Sequence, residues 1–266
     1  MMKKFKIGLQ LYSICAEVKE NMDAALENVK KMGYDFVEFA GYFGKSAEEV
    51  RALLNKHGLE CVSVHQDPQL FFEEGQKAID FLKVIGAKYC AIPWYDIENK
   101  DWSDTVGKFM KLGSDLKKNG IKLLYHNHTS EFVKRDGEYL LDKLFEDVPS
   151  DLLSPEFDTG WVLYAGEDQC EYLKKYSGRV EVLHLKDFVS KKFSEGFKDM
   201  KDNPSDDEFF FRPCGSGVTD FEKILETAEE CGTEYIIVEV EKNPVAERTP
   251  MEEAKVSIDY LKTICG

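Results

Sequence analysis

Histidines in this chain follow short apolar runs that read as β-strands, instead of lying on helix faces. Four of the five do so, at the ends of VSVH, LLYHNH and VLHLKD: His65, His126, His128 and His184. Imidazole groups move protons near neutral pH and bind transition metals. Their shared placement predicts that they meet in one site, provided that the strands end at one edge of a sheet.

Carboxylates lie in similar places. Glu38 occurs in FVEF, Asp158 ends SPEFD and Glu239 interrupts IIVEV. Strand alternation puts Glu239 on the same face as Ile237 and opposite Val238. Burying a lone carboxylate there is costly unless it is paired or bound to a metal, so an ion pair with an interior lysine or arginine is the alternative. Nitrogen and oxygen ligands without thiolate suit divalent Mn, Zn, Co or Fe.

A metal with such ligands would act as a Lewis acid on a hydroxy-carbonyl compound, and neighbouring carboxylates would move the proton. The elements that must position these groups follow one recurring unit: an amphipathic helix, a glycine after it, then a β-rich run. The glycines are Gly33, Gly58, Gly86, Gly120, Gly178 and Gly232. Glycine is favoured there because it enters the left-handed conformation without a Cβ penalty.

Eight strands are expected, beginning near residues 6, 36, 60, 89, 121, 154, 181 and 235. Capping boxes predict helix starts at Ser46, Thr219 and Thr249. Strands alternating with helices over about 250 residues predict a single α/β domain over residues 1–266, a (β/α)8 TIM barrel whose chemistry lies at the carboxyl ends of the strands. The alternative is an open doubly wound sheet, but no GxGxxG follows strand 1 and no Walker A loop is present.

One connection is long. Residues 188–218 separate strand 7 from the next helix and contain the aromatic cluster Phe209, Phe210 and Phe211. Loops of this length are usually functional. We expect the loop after strand 7 to lie over the mouth, where it would close over a substrate or pack against a second subunit of a homodimer.

Composition excludes some classes of protein. The chain has 35 basic and 50 acidic residues and a net charge of −15, which disfavours nucleic acid and anionic membranes as partners. Seven scattered cysteines without a CxxC pair indicate a reducing compartment. No signal peptide or membrane span is evident in the sequence, so we expect a cytoplasmic protein.

Several motifs of the chain, taken in the order in which they occur, resemble those of the xylose isomerase-like TIM-barrel superfamily of sugar phosphate isomerases and epimerases. They run from GLQLYS through YHNHTSEF, FDTGWVLYAG, HLKD and GSGVTDF to the VE of strand 8. In that family, metal ligands come from the ends of strands 5 to 8, usually Glu, Asp, His and Glu. The resemblance therefore implies Asp158, His184 and Glu239 as ligands, with Glu239 also moving protons.

Strand 5 departs from the family pattern, because the chain has His126 where the family usually has a glutamate. Three interpretations remain open: His126 is the ligand, Glu131 reaches back from the loop, or the metal is bound weakly or not at all. A histidine there puts the symmetrical two-carboxylate epimerase scheme in doubt. It suits a one-base proton transfer or a dehydration, with His128 or Glu131 as the acid.

Other residues at the strand ends are candidates for substrate contact. Lys186 would neutralise an oxyanion or a substrate carboxylate, or else pair with Asp187 or another acid. The remaining candidates would contact substrate, or simply hydrogen-bond or pack in place: Glu38, His65, Trp94 and Trp161. The glycines of GSGVTDF offer backbone amides to a phosphate, but this signal is weak, and an unphosphorylated sugar or inositol derivative fits as well.

Three functions compete. The first is a metal-dependent sugar or polyol isomerase or epimerase, with a dehydratase or lyase acting on a keto-sugar or inositol derivative as its alternative. The second is the endonuclease branch of the superfamily, which is disfavoured because strand 4 and the segment after Asp158 lack its extra histidines. The third is a non-catalytic sugar-binding barrel without a metal.

Overall fold

Eight parallel strands form a nearly closed barrel surrounded by helices. The computed structural model describes residues 5–190, 209–241 and 248–265. The barrel strands are β1 (Lys6–Gln10), β2 (Phe36–Phe39), β3 (Glu60–Val64), β4 (Tyr89–Ile92), β5 (Lys122–His126), β6 (Ser154–Asp158), β7 (Val182–Leu185) and β8 (Tyr235–Val238). The TIM-barrel prediction is confirmed, and each strand begins within a residue of the predicted position.

Helices fill the gaps between these strands. They are α1 (Cys15–Met32), α2 (Ala47–His57), α3 (Pro68–Glu74), α4 (Gln76–Ile85), α5 (Trp102–Lys118), α6 (Leu140–Asp147), α7 (Thr159–Tyr164), α8 (Gln169–Lys175), α9 (Phe221–Glu230) and α10 (Pro250–Ile264). Capping boxes start α2 and α10 at Ser46 and Thr249, as predicted. Among the described helices, none is both long and apolar enough to cross a bilayer.

The strand neighbours follow chain order around the barrel. Hydrogen-bonded ladders join β3 to β2, β1, β8, β7, β6, β5 and β4 in turn. The last junction, between β3 and β4, has no regular ladder. It consists of a bridge from His65 to Ala91 and of hydrogen bonds from the Gln66 amide to the Ala91 carbonyl and from the Lys88 amide to the Val62 carbonyl. This closure brings all the strand ends to one mouth, which is what the clustering of the histidines requires.

The barrel interior has an apolar floor beneath a polar layer. Side chains such as Phe36, Leu124 and Ile237 form an inner apolar cluster, distinct from the larger core that packs under the helices. Gly8 lies in register with Phe36, and a Cβ there would come within 2.2 Å of that ring, so glycine lets Phe36 fill the floor. Two residues further along, the inward positions become Glu38, His126 and Glu239.

The connection after β7 begins as an antiparallel hairpin. Residues Asp187–Ser190 pair with Phe209–Arg212, and residues 191–208 of the predicted long loop lie outside the described residues. The Phe209 ring stacks on Trp161 at 6.0 Å, and the Phe211 ring meets Trp161 edge-on at 5.5 Å. These aromatic residues therefore pack within the chain, at the side of the mouth formed by α7.

The predicted helix start at Thr219 is wrong. The α9 helix begins one residue later, with the Asp220 carboxylate accepting the Lys223 amide. Thr219 cannot serve as the cap because it has other partners: its amide donates to Asp187 Oδ1 and its hydroxyl to the Lys186 carbonyl. A capping-box pattern does not reveal such a competing partner.

Candidate active site and metal centre

Four side chains that the sequence singled out converge at the mouth. Single donor atoms of His126, Asp158, His184 and Glu239 all lie within 4.8 Å of one another, and all four residues are buried. His126 Nε2 lies 3.9 Å from both Asp158 Oδ2 and Glu239 Oε2. Asp158 Oδ2 is buried and accepts no hydrogen bond. Two imidazoles and two carboxylates at this spacing fit a divalent transition metal.

A second group of potential ligands overlaps with the first. It shares His126 and His184 with the first group and adds His65 and Glu156, again with donor atoms within 4.8 Å of one another. In this group, however, Glu156 Oε2 is already bonded to His65 Nε2 at 2.8 Å, and Ser63 donates to Glu156 Oε1. In the first group, Asp158 Oδ2 accepts no hydrogen bond and is paired with Lys186 Nζ at 3.1 Å, and His126 and Glu239 line the mouth cavity. Because a metal could share the place of the Lys186 ammonium there, we take the first group as the better candidate for the metal.

His184 belongs to both groups of potential ligands. Its Nδ1 faces Glu239 Oε2 at 3.1 Å and its Nε2 faces Glu38 Oε2 at 2.7 Å. Gln10 Nε2 donates to the same Glu38 oxygen at 2.7 Å. A carboxylate on the far nitrogen of a histidine ligand fixes the orientation of the ring and raises its basicity. Glu38 therefore supports His184 from below and does not line the cavity.

The protonation states of the buried carboxylates and histidines around His184 depend on each other. Burial opposes ionisation of Glu38, but His65 and His184 outweigh it and lower the pKa of Glu38 to about 2. The pKa of Glu156 is raised to about 7, mainly by burial and next by the negative charge of Glu38. Burial lowers the pKa of His184, yet Glu38 and Glu156 together hold it well above its usual range. Burial and the nearby histidines push the pKa of His126 well below normal, so His126 is a neutral imidazole ready to bind a metal.

Lys186 lies between the carboxylates of the mouth. Its Nζ is 3.1 Å from Asp158 Oδ2, 3.3 Å from Glu239 Oε2 and 2.7 Å from Glu241 Oε1, and the residue is 1% exposed. Burial would lower the pKa of Lys186, but Asp158 and the two glutamates raise it well above its usual range. The expected alternative, a pairing of Lys186 with Asp187 or another acid, is therefore met by other acids. Asp187 itself is held by backbone amides.

A cavity of about 450 Å³ opens above the cluster. Its described lining includes His65, His126, His128 and Glu239. The His128 Nδ1 atom is buried and has no hydrogen-bond partner, and burial followed by the charge of Lys186 lowers the pKa of His128 to about 4. His128 is therefore a neutral imidazole at the cavity wall, which is suited to hydrogen-bond a substrate hydroxyl.

Trp161 and Trp94 occupy different positions at the mouth. Trp161 lies 5.6 Å from His128 between ring centroids, and its buried indole Nε1 has no hydrogen-bond partner. Lys186 Nζ is 4.9 Å from the Trp161 ring. Trp94 is 58% exposed at the rim, and neither tryptophan is among the residues that line the cavity. Trp161 packs against His128, Phe209 and Phe211.

Glu131 does not reach the cluster. Its carboxylate accepts hydrogen bonds from the Tyr125 hydroxyl at 3.1 Å, the His128 amide at 2.9 Å and the Ser130 hydroxyl at 2.9 Å. Burial raises the pKa of Glu131 despite these donors. Of the three interpretations of strand 5, this geometry favours His126 as the ligand, with Glu131 holding the turn that carries His128.

Sequence reasoning missed Glu156 and Gln10. In SPEFD, Glu156 and Asp158 are two residues apart and therefore share one strand face, so the alternation that placed Glu239 would also have placed Glu156. Gln10 ends β1 in the position that Glu38 occupies in β2. Only the closed barrel shows that these two side chains meet Glu38, His65 and His184.

Comparison with known proteins confirms the family resemblance. The family model described as xylose isomerase-like TIM barrel matches residues 26–264. An inosose dehydratase of Clostridium perfringens is 30% identical over 271 residues, covering 92% of this chain and 90% of the relative.

Solved structures agree in fold. A sugar phosphate isomerase/epimerase from Parabacteroides distasonis superposes with a TM-score of 0.79 at 23% identity, covering 97% of this chain and 94% of that one. An L-ribulose 3-epimerase superposes with a TM-score of 0.70 at 13% identity, covering 97% and 94%. At such identities these likenesses concern the fold alone.

Proposed function

Because the chain belongs to the xylose isomerase-like TIM-barrel family and is an enzyme, we propose that it is a metal-dependent lyase that removes water from a keto-polyol of the inosose type. The observation that carries the proposal is the buried group of His126, Asp158, His184 and Glu239 next to a cavity large enough for a six-carbon ring. The relative named inosose dehydratase supports the choice of substrate.

The four mouth residues would hold a divalent ion, which when bound supplies a Lewis acid for the carbonyl and hydroxyl oxygens of the substrate. The donor set does not distinguish Mn, Zn, Co and Fe. Since a metal requires a neutral imidazole, binding would release the proton that Glu38 and Glu156 hold on His184. Glu38 would then receive a hydrogen bond from the other ring nitrogen and keep the ligand oriented.

His128 is the residue that we assign to proton transfer. Its imidazole would take the proton from the carbon next to the carbonyl and return it to the departing hydroxyl, so that one base serves both halves of the elimination. Lys186, which is permanently charged in this environment, would stabilise negative charge developing on the substrate oxygen. Glu131 would act as a positioning residue, because it fixes the backbone of His128.

Contacts to the remaining hydroxyls would come from groups with unused hydrogen-bonding capacity. The Trp161 indole N–H is buried beside His128 without a hydrogen-bond partner, and His65 lines the cavity. An aromatic face with a single donor suits a polyol ring, which presents C–H groups and hydroxyls together.

Isomerisation or epimerisation is the second candidate. It would begin with the same proton removal and differ only in where the proton returns. Dehydration is favoured because an epimerase with two opposed carboxylates would need a free acid on each side of the cavity, whereas Asp158, Glu239 and Glu241 are all paired with Lys186.

The test is incubation of metal-reconstituted protein with an inosose in D2O, followed by NMR and mass spectrometry. We expect a product lighter by one water, and a roughly 100- to 10,000-fold lower rate for His128→Ala with unchanged metal content. A product of unchanged composition with deuterium at carbon would favour epimerisation. Absence of both water loss and exchange would refute the proposal.

A further inference from the structure

A second cavity adjoins the mouth cavity beside β2 and β3. It has a volume of about 530 Å³, and its wall is formed mainly by residues of α2, α3 and α4 together with Tyr42 and Gln66; we call it the side groove. Gln66 also lines the mouth cavity, as does Gly41, the residue before Tyr42. The two cavities therefore share a wall at Gln66 and at the Gly41–Tyr42 segment.

Gln66 presents an unused polar group at this shared wall. The residue is half-buried. Its backbone amide donates to the Ala91 carbonyl, whereas no described residue hydrogen-bonds to its side-chain carboxamide. A carboxamide offers donors and an acceptor together, so this group suits a hydroxyl or ether oxygen of a molecule that spans both cavities.

The loop that carries Tyr42 is strained. Gly41 and Gly44 have φ angles of +101° and +80°, and between them Phe43 has a φ of +50°. A bulky residue in this left-handed region is uncommon, and such residues cluster at active sites and ligand clamps. The Tyr42 hydroxyl is buried with no hydrogen-bond partner, while its ring packs on Phe81 at 4.2 Å between centroids. Strain and an unsatisfied hydroxyl at one wall point to a role in binding.

The side groove is apolar with an acidic balance of charge. Its wall includes the carbon-rich side chains of Leu70, Phe81 and Val84, and Val84 is 40% exposed. The charged residues of its lining are three acids and one lysine: Glu48, Glu74, Asp80 and Lys77. Lys77 is already paired with Glu74 at 3.3 Å. The groove therefore suits an uncharged apolar group and disfavours an anion.

We propose that the side groove is a second subsite of the same enzyme and holds an aromatic substituent of the keto-polyol. The ring to be dehydrated would lie in the mouth cavity, and the linking oxygen would pass Gln66 and accept a hydrogen bond from its carboxamide. The substituent would pack against the Tyr42 and Phe81 rings.

The substrate class is then an aryl or arylalkyl ether or glycoside of a keto-polyol. The identity of the ring rests on the proposed function. Binding of the substituent does not depend on turnover and is tested without it.

Isothermal titration calorimetry of the metal-reconstituted protein compares an inosose with its mono-O-benzyl ethers, taken as the set of positional isomers. Every protein in the titrations carries His128→Ala, so that turnover does not disturb them. We expect the best-bound ether to have a roughly 10- to 100-fold lower dissociation constant than the inosose, because the benzyl group leaves water for the groove.

Two substitutions on α3 locate the benzyl group. Leu70→Asp places a carboxylate in the groove wall, and Phe72→Asp is the matched control, because Phe72 is exposed on the same helix and lines neither cavity. We expect Leu70→Asp to abolish the advantage of the ether and Phe72→Asp to keep it, with equal inosose binding in both. Should Leu70→Asp fail to fold, Val84→Trp, which fills the groove from an exposed position, takes its place.

An ether that binds no better than the inosose would overturn the inference, as would an advantage that survives the groove substitution. Turnover is measured separately, in protein that retains His128. No turnover of inosose or ether, together with binding of the ether that depends on Leu70, would refute the proposed function and still support the subsite. Binding of neither compound would overturn both.

Discussion

Lys186 carries a positive charge into a part of the barrel where carboxylates outnumber cations. Its Nζ contacts Asp158, Glu239 and Glu241 within 3.3 Å. The first two are candidate metal ligands, so in the metal-free chain the ammonium supplies charge compensation that a bound metal would share. Removing one partner of a buried ion pair is costly, because the remaining charges stay buried without compensation.

We therefore expect Lys186→Met to lower the free energy of unfolding of the metal-free protein by about 3–5 kcal/mol. A saturating divalent metal should recover part of this loss. Urea unfolding with and without metal measures both quantities. Lys174→Met, which removes only an exposed partner of Glu171, is the matched control and should leave the unfolding midpoint unchanged. An equal loss with and without metal would contradict the shared role.

At the residue scale, the sequence identified groups more readily than their partners. His126, Asp158, His184 and Glu239 were candidates because each ends or interrupts an apolar strand, and the family resemblance implied the last three as ligands. The place of Glu131 was not predicted, because its donors, Tyr125 in β5 and His128 and Ser130 in the turn after it, are not revealed by a motif. Glu156 was overlooked although it shares a strand face with Asp158, and its contact with His65 depends on distant strands meeting inside the barrel.

At the element scale, strand and helix positions were predictable because local residues mark where the helices begin and end. Gly33, Gly58 and Gly86 end helices in the left-handed conformation, and two of three capping boxes formed as expected. The hairpin after β7 was not predicted, since its pairing of Asp187–Ser190 with Phe209–Arg212 spans the long loop. Such non-local pairing leaves no short-range signal.

The α5 helix offers a matched pair of glycines. A Cβ on Gly113 would come within 2.2 Å of the Leu152 carbonyl oxygen, whereas a Cβ on Gly107 would meet nothing within 4 Å. We expect Gly113→Ala to destabilise the protein by about 1–3 kcal/mol through overpacking. Gly107→Ala should stabilise it by about 0.5–1 kcal/mol because alanine favours the helix. Equal effects in urea unfolding would show that the close packing of α5 on Leu152 does not constrain position 113.

For the whole molecule, barrel closure is what turns scattered residues into a site. The four mouth residues come from β5, β6 and β7 and from the end of β8, up to 113 positions apart in the sequence. Composition predicted the size and class of the domain, and the strand count predicted the barrel. That His184 belongs to both groups of potential ligands could not be predicted from the sequence. It depends on the strand registers, which place Asp158 beside His184 and His184 beside Ile237.

The most direct test is metal quantification of protein purified without chelators and then reconstituted with Mn, Co or Zn. We predict about one equivalent in wild type and in Glu156→Gln, and none in the His184→Ala, Glu239→Ala double variant. Circular dichroism would verify that the variants are folded. No bound metal in reconstituted wild type would contradict the account, as would metal that survives in the double variant but is lost from Glu156→Gln.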